Sequence, residues 1–253
     1  MTGTAAFSLE GRTAVVTGAR SGIGRAIALG LADAGARVAI WGHADNLTDT
    51  AGVLAAAGRL LRTVEADLAD PALIDRACDE LLAEHRIDIL VNNAGIIRRG
   101  PAADSPRRDW DDVLAVNLSV VFQLSQRLGR PMLERGSGKV VNIASVLSSQ
   151  GGINVVAYTA SKHAVAGITR ALANEWAGRG VQVNAIAPGY IRTDNTAALQ
   201  RDAQRYQAIL DRIPAGRWGD PADLVGAAVF LASSASDYVN GHVLAVDGGW
   251  MGR

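Results

Sequence analysis

Seven short apolar runs recur along the chain, and most of the gaps between them carry apolar residues at helical spacing. The runs cover residues 13–17, 38–41, 62–66, 87–91, 139–143, 182–187 and 242–246. After Gly22, the side chains of Ile23, Ile27 and Leu31 fall on one helical face before Gly35 ends the pattern. Asp70 and Pro71 supply an N-cap and a first-turn proline for a helix ending near His85. Further helices are expected over 110–128, 158–177 and 221–231. Strands joined through helices pair in parallel, so the alternation predicts an α/β fold: one doubly wound parallel sheet with helices on both faces and its ligand at the carboxyl edge of the strands.

Composition narrows what such a fold can serve. With 253 residues, 49% of them hydrophobic, the chain fits a single dinucleotide-binding and catalytic domain (1–253) around a large core. Lys+Arg and Asp+Glu both count 25 and no run of like charge stands out, which argues against a nucleic-acid surface and for a small-molecule partner. Cys78 is the only cysteine, so no intramolecular disulfide forms; it reads as a core thiol in a reducing compartment. Residues 1–10 lack the pattern of a secretory signal and no apolar run approaches a bilayer span, so no membrane role and a cytoplasmic location are expected. His43, His85, His163 and His242 have no companions at ligand spacing, so no metal is expected. The alternation lapses only over 192–213, where a polar helical pattern suggests a lid over the substrate.

The chemistry begins at Thr17-Gly18-Ala19-Arg20-Ser21-Gly22-Ile23-Gly24, between the first strand and the first helix. Glycines there let backbone N–H groups and a helix N-terminus approach a pyrophosphate, the Rossmann-like way of seating a dinucleotide. The same glycines also suit a tight turn and close helix packing. Their spacing is not G-x-G-x-x-G but T-G-x-x-x-G-x-G, which resembles the short-chain dehydrogenase/reductase family. Asn92-Asn93-Ala94-Gly95 after the fourth strand, Asn117, Ser145 after the fifth strand, and Tyr158-x-x-x-Lys162 extend that resemblance over nearly the whole chain. Singly, each has a plain structural explanation as a cap, a strand end or a surface pair; the ordered set does not.

Tyr158 and Lys162 stand at i and i+4, so they project from one helix face to a shared site. Moving a tyrosine pKa from about 10 to about 7 takes roughly 4 kcal/mol. A cation about 4 Å away at an effective dielectric of about 20 supplies on the order of 4 kcal/mol, so Lys162 is expected to come close to sufficing alone. Tyr158 would then exchange the proton of an alcohol or ketone, with Ser145 hydrogen-bonding the substrate oxygen. The resemblance further implies that Lys162 holds ribose hydroxyls and that Asn117 serves a water-linked proton relay. It also implies that Asp67 and Leu68 lie by adenine, Asn93, Ala94 and Gly95 form the cofactor floor, and Pro188, Gly189, Ile191 and Thr193 face the carboxamide.

After the second strand, Trp41-Gly42-His43 lacks the acidic residue that NAD-specific members place there, Gly42 standing in its position. Arg20 and His43 are candidates for a 2′-phosphate, yet Ser21 stands where many NADP-dependent members are basic. The resemblance as a whole favours NAD, with NADP as the alternative.

Several stretches are similar to the 2-deoxy-D-gluconate 3-dehydrogenases, also described as 2-dehydro-3-deoxy-D-gluconate 5-dehydrogenases. They include Gly95-Ile-Ile-Arg-Arg99, Ala173-Asn-Glu-Trp176, Asn184-Ala-Ile-Ala-Pro-Gly-Tyr190 and Ala245-Val-Asp-Gly-Gly-Trp250. A sugar acid needs a counter-charge, for which Arg98, Arg99 and Arg192 are candidates, and Gln150 is a candidate for a sugar hydroxyl. The alternatives are a 3-oxoacyl thioester or neutral ketone/polyol reductase with the same residues, and a non-catalytic dinucleotide-binding regulator. Family resemblance implies a homotetramer.

Overall fold

The computed structural model describes residues 3–42 and 47–253. Seven parallel strands form one sheet in the order β3-β2-β1-β4-β5-β6-β7. These are β1 (Thr13–Thr17), β2 (Arg37–Gly42), β3 (Leu60–Glu65), β4 (Ile89–Asn92), β5 (Gly138–Ile143), β6 (Val181–Pro188) and β7 (Val243–Val246). The central strands are covered by helices on both faces, so every residue of β4 and β5 is buried. One core layer packs Val16, Ile27, Leu31 and Leu224, and the other packs Val15, Ile74, Leu124 and Leu128.

The helices are α1 (Gly22–Asp33), α2 (Thr48–Ala56), α3 (Pro71–Glu84), α4 (Arg107–Leu114), α5 (Val120–Arg135), α6 (Val156–Trp176), α7 (Ala197–Arg201), α8 (Ala203–Leu210) and α9 (Val225–Ala232). Asp70 caps α3 as expected, accepting from the N–H groups of Ala72 and Leu73. Cys78 is buried and its thiol is pushed up to about 12 by desolvation, which makes it a core group rather than a nucleophile.

The single helix expected over 110–128 is instead α4, a π-helical turn over Ala115–Ser119, and α5. Apolar spacing does not register one extra residue in a turn, and such turns gather at functional sites. The helix also runs on through Pro131 to Arg135, ending where Gly136 adopts φ +70°. Over 192–213 the chain forms a short 3-10 turn followed by α7 and α8. Its polar pattern hides two buried anchors, Ile209 and Ile213, set against Trp218 and Trp250.

β1 lies between β2 and β4, so the chain leaves it in opposite directions on its two sides. That reversal opens a crevice at the carboxyl ends of β1 and β4, the place where doubly wound sheets receive ligands.

Candidate active site

A cleft of about 420 Å³ opens at this crevice. Its lining brings together Gly18, Arg20, Ser21, Gly22, Ile23, Gly24, Gly42, Asp67, Leu68, Asn93, Ala94, Gly95, Ser145, Tyr158, Lys162, Pro188, Gly189, Ile191 and Thr193. His43, the remaining cofactor candidate, lies outside the described residues. The sequence reading missed Ala66, Ile96, Val116, Ile143, Ala144 and residues 194–196, which also line the cleft. Ile143 ends the strand that delivers Ser145 and Ala144 follows it, so both were findable; residues 194–196 directly follow Thr193 in the segment read as a lid.

The glycine turn is held against the end of β4. Thr17 Oγ1 accepts from the N–H groups of Asn93 and Ala94, both at 3.0 Å, and Asn93 Nδ2 donates to the carbonyl of Thr17 at 2.8 Å. Gly18 and Gly22 adopt φ +66° and +54°, which favour glycine. A methyl group on Gly24 would stand 2.2 Å from the Gly18 carbonyl oxygen. Helix α1 starts at Gly22 and its first registered bond runs from Arg25 N–H to Ser21, so the preceding N–H groups lack intrahelical acceptors and face the cleft. A seat kept free of side chains beside unpaired amide donors fits the pyrophosphate of a dinucleotide.

Ser145 caps the short turn after β5, its Oγ accepting from Leu147 N–H at 3.1 Å. Ser148 ties that turn to α6 by donating to the Lys162 carbonyl at 2.7 Å. Tyr158 lies in the first turn of α6, and Lys162, one turn on, is 4% exposed with its ammonium 2.7 Å from the Ile143 carbonyl. Asn117, in the π-helical turn, donates to the Ile96 carbonyl at 2.9 Å and to Ser161 at 3.2 Å, and accepts from Ile96 N–H at 2.8 Å. Its side chain therefore fixes the loop after β4 beside Lys162.

Burial dominates the electrostatics of the pair. Lys162 Nζ sits 5.6 Å from the Tyr158 ring centre, and burial holds the lysine down at about 8. Burial likewise raises the Tyr158 phenol above its ordinary value; the opposing influences are first a hydrogen bond with Ser145 and then the charge of Arg99. Ser145 and Arg99 thus act against burial in favour of the phenolate.

The three candidate arginines separate. Arg98 turns to the acidic face of α4, 3.9 Å from Asp109 and 4.0 Å from Asp112. Arg192 donates to the Trp218 carbonyl at 3.0 Å and pairs with Asp220 at 3.2 Å. Arg99 instead interacts with Tyr158 and Tyr190, and its Nη2 donates to the Asn195 carbonyl at 3.0 Å. Gln150 accepts from the Trp250 indole at 2.8 Å, so its carbonyl serves the aromatic cluster.

Comparison with known proteins agrees with this arrangement. A family model described as Enoyl-(Acyl carrier protein) reductase matches residues 18–251. The 2-dehydro-3-deoxy-D-gluconate 5-dehydrogenase of Bacillus subtilis (strain 168) is 56% identical over 248 residues, covering 98% of both chains. A solved structure from Beutenbergia cavernae, described as an NAD(P) dependent gluconate 5-dehydrogenase with NADP bound at low occupancy, is 58% identical with a TM-score of 0.96. That match covers 98% of this chain and 100% of the other. The gluconate 5-dehydrogenase of Burkholderia cenocepacia J2315, in complex with NADP and tartrate, is 42% identical with a TM-score of 0.95, over 98% of each chain. The chain belongs to the short-chain dehydrogenase/reductase family. It is an NAD(P)-dependent dehydrogenase acting on CH–OH groups.

Proposed function

We propose that this enzyme oxidises a secondary hydroxyl of a deoxy sugar acid, such as 2-deoxy-D-gluconate or 2-dehydro-3-deoxy-D-gluconate, and reduces the matching ketone. The observation that carries this reading is Arg99, a guanidinium bonded to the carbonyl of cleft-lining Asn195 at 3.0 Å, whose charge acts on Tyr158 and which forms no ion pair among the described residues. A carboxylate on the substrate answers that charge by paired hydrogen bonds. The names of the relatives from Bacillus subtilis and Burkholderia cenocepacia support the same class.

Tyr158 takes the alcohol proton in oxidation and returns it in reduction. Ser145 donates to the substrate oxygen and carries the charge that develops there. Lys162 and Arg99 stabilise the phenolate as it forms, and Asn117 positions the loop that frames the lysine. A dinucleotide with its pyrophosphate on the glycine turn would supply the hydride acceptor or donor through its nicotinamide. Gly18, Gly22, Gly24, Asp67, Asn93, Gly95, Pro188, Gly189 and Thr193 are the residues that would hold it.

The cleft suits both NAD, favoured by the whole-chain resemblance, and NADP, which several structural neighbours hold. β2 ends in Gly42, which offers no carboxylate to repel a 2′-phosphate, and Arg20 lines the cleft near Asp194 at 3.7 Å. Residues 192–213 act as the lid of one catalytic domain that spans the chain.

The experiment is a dehydrogenase assay of purified enzyme on a panel of sugar acids and neutral polyols, with NAD and NADP in parallel. Arg99→Ala is expected to raise KM about 30-fold or more for the acids, the loss of a charge-assisted hydrogen bond, and much less for polyols. Equal effects on both classes would remove Arg99 from the carboxylate role, and wild-type turnover confined to polyols would overturn the sugar-acid assignment.

A homotetramer is proposed as well, supported by exposed Phe122 on α5, Val156 on α6 and the free edge of β7. Light scattering at four chain masses supports it; a monomer mass overturns it. No helix among the described residues is long and apolar enough to cross a membrane. The lone buried Cys78 supports a cytoplasmic site of action, which cell fractionation checks.

A further inference from the structure

Arginines around the cleft are mostly neutralised by carboxylates: Arg20 by Asp194, Arg98 by Asp109 and Asp112, Arg192 by Asp220, and Arg217 by Asp223. Arg99, Arg205 and Arg212 form no such pair among the described residues, and all three act on the phenol of Tyr190. Arg205 also acts on Arg99, like charge against like charge.

Local structure explains the convergence. Arg205 stands on α8 one turn before the buried anchor Ile209, and Arg212 lies in the turn after the helix, beside the second anchor Ile213. Arg212 lies over the Trp250 ring at 4.0 Å, and Trp250 meets Tyr190 edge to face at 4.7 Å. Tyr206, one residue after Arg205, stacks on Trp218 at 5.2 Å with the rings 2° from parallel, which fixes the helix's rotation. Arg99, in the loop after β4, bonds to Asn195 at the start of the same segment. Uncompensated like charges gathered over one aromatic floor raise the energy of the unliganded site, and an anion lowers it.

We infer that Arg205 on α8 and Arg212 in the turn after it form an anion clamp which, together with Arg99, grips the substrate's carboxylate and draws the segment over the cleft. The inference rests on the sugar-acid reading and deepens it: specificity for acids resides in the lid as well as in the loop after β4. A neutral polyol offers the clamp no counter-charge, so it binds without that attraction.

The test combines steady-state kinetics with titration of NADP-loaded enzyme, read by intrinsic fluorescence, to which Trp218 and Trp250 contribute. Its probes are 2-dehydro-3-deoxy-D-gluconate, D-gluconate and the neutral D-sorbitol. The double variant Arg205→Gln/Arg212→Gln is expected to raise Kd and KM for the preferred acid about 30-fold or more, and the constants for D-sorbitol far less. Arg205→Lys/Arg212→Lys is expected to recover part of the loss, and Arg37→Gln, exposed at the start of β2, serves as the unchanged control. An acid preference that survives the double variant, or an equal rise for acid and polyol, overturns the clamp while leaving the sugar-acid reading standing. A wild-type enzyme that binds neither acid more tightly than D-sorbitol overturns both.

Discussion

Tyr158→Phe is expected to lower kcat about a thousand-fold in both directions, within the range for losing a positioned acid–base group. KM for substrate and dinucleotide should move by no more than about threefold, because the ring still fills its place in the first turn of α6. The pH dependence supplies a second signature. Burial holds the phenol neutral at pH 7, so wild-type oxidation, which needs the phenolate, climbs as pH rises. The climb is damped above about 8, where Lys162 begins to lose the proton whose charge favours the phenolate. In the Phe variant this climb should vanish. Pre-steady-state and steady-state rates from pH 6 to 10 check both expectations, and a variant turning over at the parent rate would return the site to a merely binding role.

Gly24→Ala should disable the enzyme by another route. The added methyl would stand 2.2 Å from a backbone carbonyl oxygen and 2.3 Å from Asn93 Nδ2, so neither the turn nor the end of β4 can yield cheaply. Overpacking of this kind costs about 3 kcal/mol, which for a chain of this size lowers Tm by roughly 6–12 °C. Displacing the turn also misplaces the N–H groups that meet the pyrophosphate, so KM for the dinucleotide is expected to rise about 100-fold. Calorimetry and initial rates over a cofactor series decide the matter. An unchanged Tm with unchanged KM would mean that the glycine is replaceable.

The parts of the site that were legible in the sequence are those whose geometry is local. Strand, turn and helix around Gly18 to Gly24 are set by neighbours within a few residues, and Tyr158 and Lys162 share a helix face by spacing alone. Arg98 and Arg99 were not separable in this way. They are adjacent in a loop, and which of them faces the cleft depends on Asp109 and Asp112, one helical turn apart on α4, capturing the first. Spacing likewise gives the shared helix face of Tyr158 and Lys162 but not the burial that raises the phenol. The clamp arginines were equally hidden, because a polar helix with only Ile209 and Ile213 to anchor it does not reveal which side its charged residues take.

The contact between the glycine turn and the loop after β4 has a consequence for biosynthesis. Asn93 and its partner Thr17 are 76 residues apart, and β1 gains its inner neighbour only when β4 is present. At a ribosomal pace of about 5–20 residues per second, roughly 4–15 s pass between the appearance of one half of the dinucleotide seat and the other. A nascent chain in that interval has no finished pocket, so coenzyme cannot act as a template for the amino-terminal half and can only lock a sheet already assembled.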